Sequence, residues 1–210
     1  MNTQGDERTE GLARIARDGD PEAFARLFHR VRGRLEVWIS VRMGALLRSR
    51  LTPDDVLQET FLEAFRSLTR FRDQGPGSFQ RWIFSVAENR LRDLSKFHNA
   101  QKRAARRDVA PDPHQDGEND ILKQLAALTQ SPSAGVHREE MTQQLAEAIR
   151  QLPEPLREVL VLRAIEERTY AEVAEALDRP QAMVRVLFCR ALKRLRNEFG
   201  TRQDAGSVSG

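Results

Sequence analysis

Apolar residues recur at three- and four-residue spacing along most of the chain, the period of helices that bury one face. Asp20-Pro21-Glu22 reads as a helix start: a capping residue, a proline at the first helical position, then an acid in the first turn. Ala23, Phe24, Leu27, Val31, Leu35, Trp38 and Ile39 follow as its stripe. Thr52-Pro53-Asp54-Asp55 opens a second helix, with Thr52 as cap and Asp55 reaching back to it. Its stripe is Val56, Leu57, Phe61, Ala64, Phe65 and Leu68. Arg72 to Gly77 is a loop, and Ser78 can cap a third helix bearing Phe79, Trp82, Ile83, Val86, Leu91 and Leu94.

The pattern lapses over residues 108–136, which read as a flexible acidic linker. Asp108 to Asp120 holds five acids, two prolines and no Lys or Arg, and Ser131 to Gly135 is a second break. A short apolar stretch, Ile121 to Leu128, lies between them. Helical spacing resumes near His137 with Met141, Leu145, Ala148, Ile149 and Leu152, then Leu156, Val159, Leu160 and Leu162. Thr169-Tyr170-Ala171-Glu172 has capping-box form and opens a short helix, Tyr170 to Leu177. Asp178-Arg179-Pro180 breaks it, and a longer helix runs from Gln181 to about Phe199. Short helix, brief turn and longer basic helix is the helix-turn-helix pattern. The expected architecture is all-α. It has a first helical domain over 1–107, including an N-terminal extension over 1–19. The linker over 108–136 leads to a helix-turn-helix domain over 137–200 and a disordered tail over 201–210.

Length allows this division: 210 residues suffice for two small domains with cores of their own. Hydrophobic residues make up 40% and no run of about 18 apolar residues occurs, which argues against a spanning helix. The polar stretch Met1 to Glu10 does not read as a signal peptide. Cys189 is the only cysteine, and His29, His98, His114 and His137 are scattered, so neither a disulfide nor a metal cluster is expected. A reducing, cytoplasmic setting fits.

The net charge of +3 conceals a segregation. Residues 81–107 carry eight bases against two acids, and residues 179–210 carry seven against two. Between them, residues 108–178 carry fifteen acids against six bases. Two separated basic blocks suit a polyanion gripped at two places, or simply two solvated helix faces.

Catalytic patterns are missing: Gly75-Pro76-Gly77 lacks the lysine of a phosphate loop, and no Ser or Cys has a neighbouring histidine base. No cofactor and no enzymatic activity are expected. Binding chemistry is better supplied. In the helix-turn-helix, Val173, Ala174 and Leu177 pack one helix, while Val184, Phe188, Ala191 and Leu195 pack the other. Gln181, Arg185, Cys189 and Arg190 then turn outward, where Arg and Gln can read base edges in a major groove. Lys193, Arg194 and Arg196 lie further along and suit phosphates. A plain antiparallel helix pair would show the same stripes. In the third helix, Phe79, Trp82 and Phe84 are combined with Arg81, Arg90, Arg92, Lys96, Lys102 and Arg103, a composition that suits stacking on unpaired bases, or a core beside a solvated face.

Three stretches together resemble a family. Asp54 to Phe65 looks like the core-polymerase-binding helix of bacterial extracytoplasmic-function sigma factors. Phe79 to Arg90 with Asp93 resembles their promoter-melting and minus-ten-reading helix, and Leu152 to Leu160 followed by Tyr170 to Leu195 resembles their minus-thirty-five domain. The resemblance implies a promoter-specificity subunit that binds core RNA polymerase, recognises promoter DNA and supports strand opening. Asp54, Asp55, Leu57, Gln58, Glu59 and Phe61 would dock on the polymerase clamp. Arg72, Ser78, Arg81, Trp82, Asn89, Arg90, Asp93 and Lys96 would hold the minus-ten element and the opened non-template strand. Arg179, Gln181, Arg185, Cys189, Arg190, Lys193 and Arg194 would serve the minus-thirty-five element. The acidic linker would thread toward the active-site cleft. An anti-sigma factor is a further implied partner; the apolar last helix suits such a contact and equally suits a tighter domain core.

The chain departs from the family at its last helix, where Val186 and Leu187 stand in place of a usual Ser-Arg pair and Cys189 in place of a polar residue. Two other readings remain open on the residues alone. One is a free-standing dimeric helix-turn-helix regulator, and the other a protein-interaction adaptor.

Overall fold

The computed structural model describes residues 3–75, 77–99 and 135–206, and every regular element among them is helical. The chain divides into two compact units, residues 1–103 and 104–210. Among the described residues no helix is long and apolar enough to cross a membrane. The acidic linker expected over 108–136 falls almost wholly outside the described residues.

In the first unit, α1 (Thr3–Arg17) and α2 (Pro21–Arg42) pack on each other. The sequence reading contains no helix for α1, which is polar and carries few apolar positions; Ala13 and Ala16 are its buried contacts. Asp20 caps α2 as expected, its carboxylate accepting from the backbone N–H groups of Glu22 and Ala23 at 2.8 and 3.1 Å. Between Leu35 and Val41 only Glu36 escapes full burial, so α2 is the central post of this unit. A short turn, α3 (Ala45–Arg48), inserts Leu47 into the core. It leads to α4 (Pro53–Ser67), which starts in the expected capping box between Thr52 and Asp55. A tight turn over Leu68–Arg70 follows, and then Phe71, which is buried.

The loop after Phe71 is tied by Asp73, whose Oδ1 accepts from the Gly75 N–H at 3.0 Å and from the Ser78 hydroxyl at 2.8 Å. Gly75 and Gly77 have φ of 95° and 73°, where a Cβ is strained. α5 (Ser78–Asn99) follows and packs against α2 and α4 through Phe79, Ile83, Phe84, Ala87 and Leu91.

The second unit begins with α6 (Gly135–Arg150), which buries Thr142, Leu145, Ala146, Ala148 and Ile149. α7 (Glu154–Leu160) runs into a wider turn, Val161–Ile165, closed by the Glu166 N–H on the Val161 carbonyl at 2.9 Å. Glu166 is buried, and its carboxylate accepts from Arg168 Nε at 2.8 Å. Glu167, at φ 56°, swings the chain into α8 (Tyr170–Ala176). The Thr169–Glu172 capping box forms there as expected. Asp178, at φ 50°, makes the break before α9 (Gln181–Gly206).

α9 runs on to Gly206, into the stretch expected as the tail, which no proline interrupts. One expectation is corrected. Leu57, expected on the docking face, is 2% exposed and lies in the core with Val56 and Ala64. The reason is width: α4 is seated against both α2 and α5, so its buried arc takes in Leu57 and leaves Leu62 outside at 49% exposure.

Leu57→Ala is therefore expected to cost about 2–5 kcal/mol of stability. Leu62→Ala should stay within about 0.5 kcal/mol. Trp38 and Trp82, the chain's two tryptophans, both lie in the first unit. Fluorescence-detected urea unfolding of the full chain reads that unit, and equal midpoints for the two variants would contradict the seating of α4.

Candidate functional site

Three surfaces carry the residues singled out by sequence. The first is the outer face of α4. Asp54 accepts from Arg32 at 3.2 Å and from Gln58 Nε2 at 2.7 Å, which orients the Gln58 amide. Glu59 pairs with Arg90 of α5, the Arg90 Nε lying 2.6 Å from Oε2. Phe61 is half-buried, its ring centroid 5.1 Å from that of Phe24 and 4.9 Å from that of Phe28. Helical spacing aligns Asp55, Gln58, Leu62 and Phe65 along one exposed strip. Leu62 and Phe65 keep 49% and 44% of their surface in water. Sequence reasoning overlooked Leu62 and assigned Phe65 to the core stripe. The usable signal was an apolar pair at i+4 and i+7 from Gln58.

Asp55 serves the helix first. Its Oδ2 accepts from the Thr52 backbone N–H at 2.7 Å and from the Thr52 hydroxyl at 2.8 Å. These hydrogen bonds hold its carboxyl below the ordinary value of 3.8.

The second surface is on α5. Ser78 is buried and spent on Asp73, so it braces the loop and is not available to a ligand, contrary to expectation. Trp82 is half-buried, its ring packed 5.3 Å from Phe71 and 5.6 Å from Phe79. Helical spacing puts Trp82, Asn89, Asp93 and Lys96 on one face, with Asn89, Asp93 and Lys96 exposed. Arg72 and Arg81 are exposed beside it. Arg90 is not on that face: it turns toward α4 and its ion pair with Glu59, because the two helices pack there. Sequence reasoning also missed Arg42. It lines an open groove of about 380 Å³ between α2 and α5, together with Trp38, Arg92 and Lys96.

The third surface is α9. Val184, Leu187, Phe188, Ala191, Leu192 and Leu195 are buried, which accounts for most of the helix's apolar character as core packing. Gln181, Arg185 and Arg194 are exposed, and Cys189, Arg190 and Lys193 half-exposed. Arg185 lies over the Tyr170 ring at 4.4 Å, and Arg163 approaches the same ring at 4.8 Å. Arg179 reaches Met183 Sδ at 3.8 Å. Among the described residues no group of His, Cys, Asp and Glu is gathered that could hold a metal ion.

Known proteins are similar to this chain along most of its length. The Sigma-70 region 2 family matches residues 22–103 and the Sigma-70 region 4 family matches residues 142–195. The ECF RNA polymerase sigma-E factor of Haemophilus influenzae is 28% identical over 193 residues, covering 90% of this chain and 94% of the relative. The ECF RNA polymerase sigma factor SigD of Mycobacterium bovis is 29% identical over 199 residues, covering 95% and 87%. A solved structure of CnrH in complex with the cytosolic domain of CnrY aligns with 94% of this chain and 98% of that one, at 23% identity and a TM-score of 0.47.

A carboxylate lowered in the folded state contributes stability that is fully present above its unfolded value and is lost as pH falls through the lowered one. The cap of α4 should thus stay closed above pH 3.8 and open only below it. A carboxyl NMR titration should place the Asp55 midpoint below 3.8, and Thr52→Ala should raise it.

Proposed function

The chain belongs to the sigma-70 family, in its extracytoplasmic-function group, and from that premise we propose how its two units divide the work of a promoter-specificity subunit. As a sigma factor it binds core RNA polymerase, recognises promoter DNA and supports strand opening at initiation. It works in the cytoplasm and is not itself an enzyme; bond making stays with the polymerase. The free-standing regulator and the adaptor give way to this reading.

The first unit docks through α4. The observation that carries this assignment is the strip Asp55, Gln58, Leu62 and Phe65, where two large apolar side chains stand half in water beside carboxylates. Such a patch suits an interface with apolar anchors and a charged rim. Asp54 and Glu59 flank it, each already paired within the unit. Phe61 supports the strip from behind through Phe24 and Phe28.

α5 meets the minus-ten element. Its face of Trp82, Asn89, Asp93 and Lys96, with Arg72 and Arg81 alongside, combines an aromatic platform with cations. Phe71 and Phe79 hold the Trp82 ring, so an unstacked base would meet a surface that is already ordered. Extruding a base costs a few kcal/mol, which stacking and backbone contacts can offset. The second unit lays α9 into the minus-thirty-five major groove, with Gln181 and Arg185 near base edges and Arg179, Arg190, Lys193 and Arg194 near phosphates. Tyr170 holds the Arg185 guanidinium over its ring, which restricts the arginine before DNA arrives.

Two experiments test this division. The purified chain should co-elute with bacterial core RNA polymerase, and Gln58→Ala/Leu62→Ala should weaken that association at least about tenfold, as loss of anchor contacts does. Its unfolding midpoint should be unchanged. Undiminished co-elution would remove the strip from the interface. At the upstream element, Tyr170→Leu should weaken holoenzyme binding about two- to fivefold, the scale of an exposed cation–π contact, while Tyr170→Phe keeps it. Equal loss in both variants would assign the effect to the hydroxyl.

A further inference from the structure

Among the described residues of the second unit, Val186 is the most exposed large apolar one, at 49%, with Met183 close behind at 45%. Neither belongs to the core of α9. Helical spacing puts Ala182, Val186, Cys189 and Lys193 on one line along the helix, opposite the buried stripe of Val184, Ala191 and Leu195. Gln181 and Arg185 form one shoulder of this line, and Met183, Arg190 and Arg194 form the other. The centre of the outward face is thus small and apolar near its start, between cationic flanks.

The charge selects the occupant. Residues 179–210 carry seven bases against two acids, which favours a polyanion over a lipid or an apolar protein surface. A duplex major groove is polar along its floor except at thymine, whose C5-methyl projects into it. Valine has no donor or acceptor, so a guanine, cytosine or adenine edge set against it loses water and gains no hydrogen bond. A thymine methyl loses nothing of the kind and buries apolar surface. Ala182, one turn earlier, is small enough to let the helix come close. Leu187 adds nothing to this face, being 8% exposed and part of the core.

We propose that Val186, seated between Ala182 and Met183, is a specificity-determining residue that reads thymine C5-methyl groups in the upstream promoter element. The proposal rests on the assignment of α9 to that element. The arginines on the shoulders then set register and affinity, while the apolar centre rejects base pairs that need a hydrogen-bond partner there.

The test uses the full chain assembled with core RNA polymerase. Promoter duplexes with a randomised upstream element are selected by this holoenzyme. Each thymine of the selected element is then replaced in turn by deoxyuridine, which lacks only the C5-methyl. At one or more positions the wild-type holoenzyme should lose about fourfold in affinity, the value of one buried methyl. With Val186→Ala the thymine and deoxyuridine duplexes should bind within twofold of each other, with co-elution and unfolding midpoint unchanged. Selected elements without a methyl-sensitive thymine would overturn the proposal. Methyl sensitivity that survives Val186→Ala would assign the reading to another residue and overturn it equally. Loss of polymerase co-elution in Val186→Ala, with both duplexes bound alike, would make the patch a polymerase contact. If the holoenzyme forms but selects no upstream element at all, the assignment of α9 fails first, and the proposal falls with it.

Discussion

Successive residues of an α-helix turn by about 100°, so the phase in which a helix seats its buried stripe decides which side chains it hands to a partner. In this chain that phase is held at the N-terminal ends of the helices that open the docking and groove surfaces. Thr52 and Asp55 close a reciprocal cap on α4, and Thr169 and Glu172 close the same cap on α8. Just behind the caps, Val56, Thr60, Ala64 and Val173 have no exposed surface. A slip of one residue in α4 would rotate Gln58 and Leu62 toward the core and carry a different pair outward. The strip at Asp55, Gln58, Leu62 and Phe65 therefore exists only because the stripe seats where it does. Asp55 belongs to both, which makes the cap part of the surface.

Local signals of this kind are legible in the sequence, because a cap involves residues two or three apart and a hydrophobic stripe states its own period. The starts of α2, α4 and α8, the helix-turn-helix and four of the buried residues of α9 (Val184, Phe188, Ala191 and Leu195, but not Leu187 or Leu192) can be read that way. The arc that each helix buries cannot, since it depends on how many neighbours the helix has. α4 carries apolar residues on several sides; its spacing puts Phe65 in the buried stripe and leaves Leu57 to either face, and only its packing against both α2 and α5 buries Leu57 and leaves Phe65 and Leu62 outside. The same holds for polar residues whose partners are distant in sequence. Ser78 lies five residues from Asp73 and Arg90 lies 31 from Glu59, so each read as a surface residue until its partner was placed. α1 was illegible for the opposite reason: it is attached by few apolar side chains.

The Glu59–Arg90 pair has a consequence for how this molecule responds to change. Both side chains are more than a third exposed, so water screens the pair and its own stabilisation is small. It nonetheless links α4 to α5, the two helices proposed to face polymerase and the opened strand. Removing Glu59 releases a cation at the edge of the α5 face, and removing Arg90 releases an anion beside the docking strip. Neither substitution acts on one surface alone. Leu62 and Gln58 have no such link to α5, which makes them the cleaner probes of docking.

On α9 the separation of roles follows from charge and polarity together. In the proposed complex, cations at Arg179, Arg190, Lys193 and Arg194 would act on phosphates over several ångströms and release counterions, so their contribution would fall steeply with salt. They carry little sequence information, because every base pair has the same phosphates. An apolar centre at Ala182 and Val186 contributes less affinity, yet what it contributes does not depend on salt and differs between base pairs. Raising the salt concentration therefore removes the unspecific part of binding faster than the specific part. A helix with Val186 at the centre of its outward face has no hydrogen-bond donor at that point, but it would concentrate its discrimination in a contact that ions do not screen.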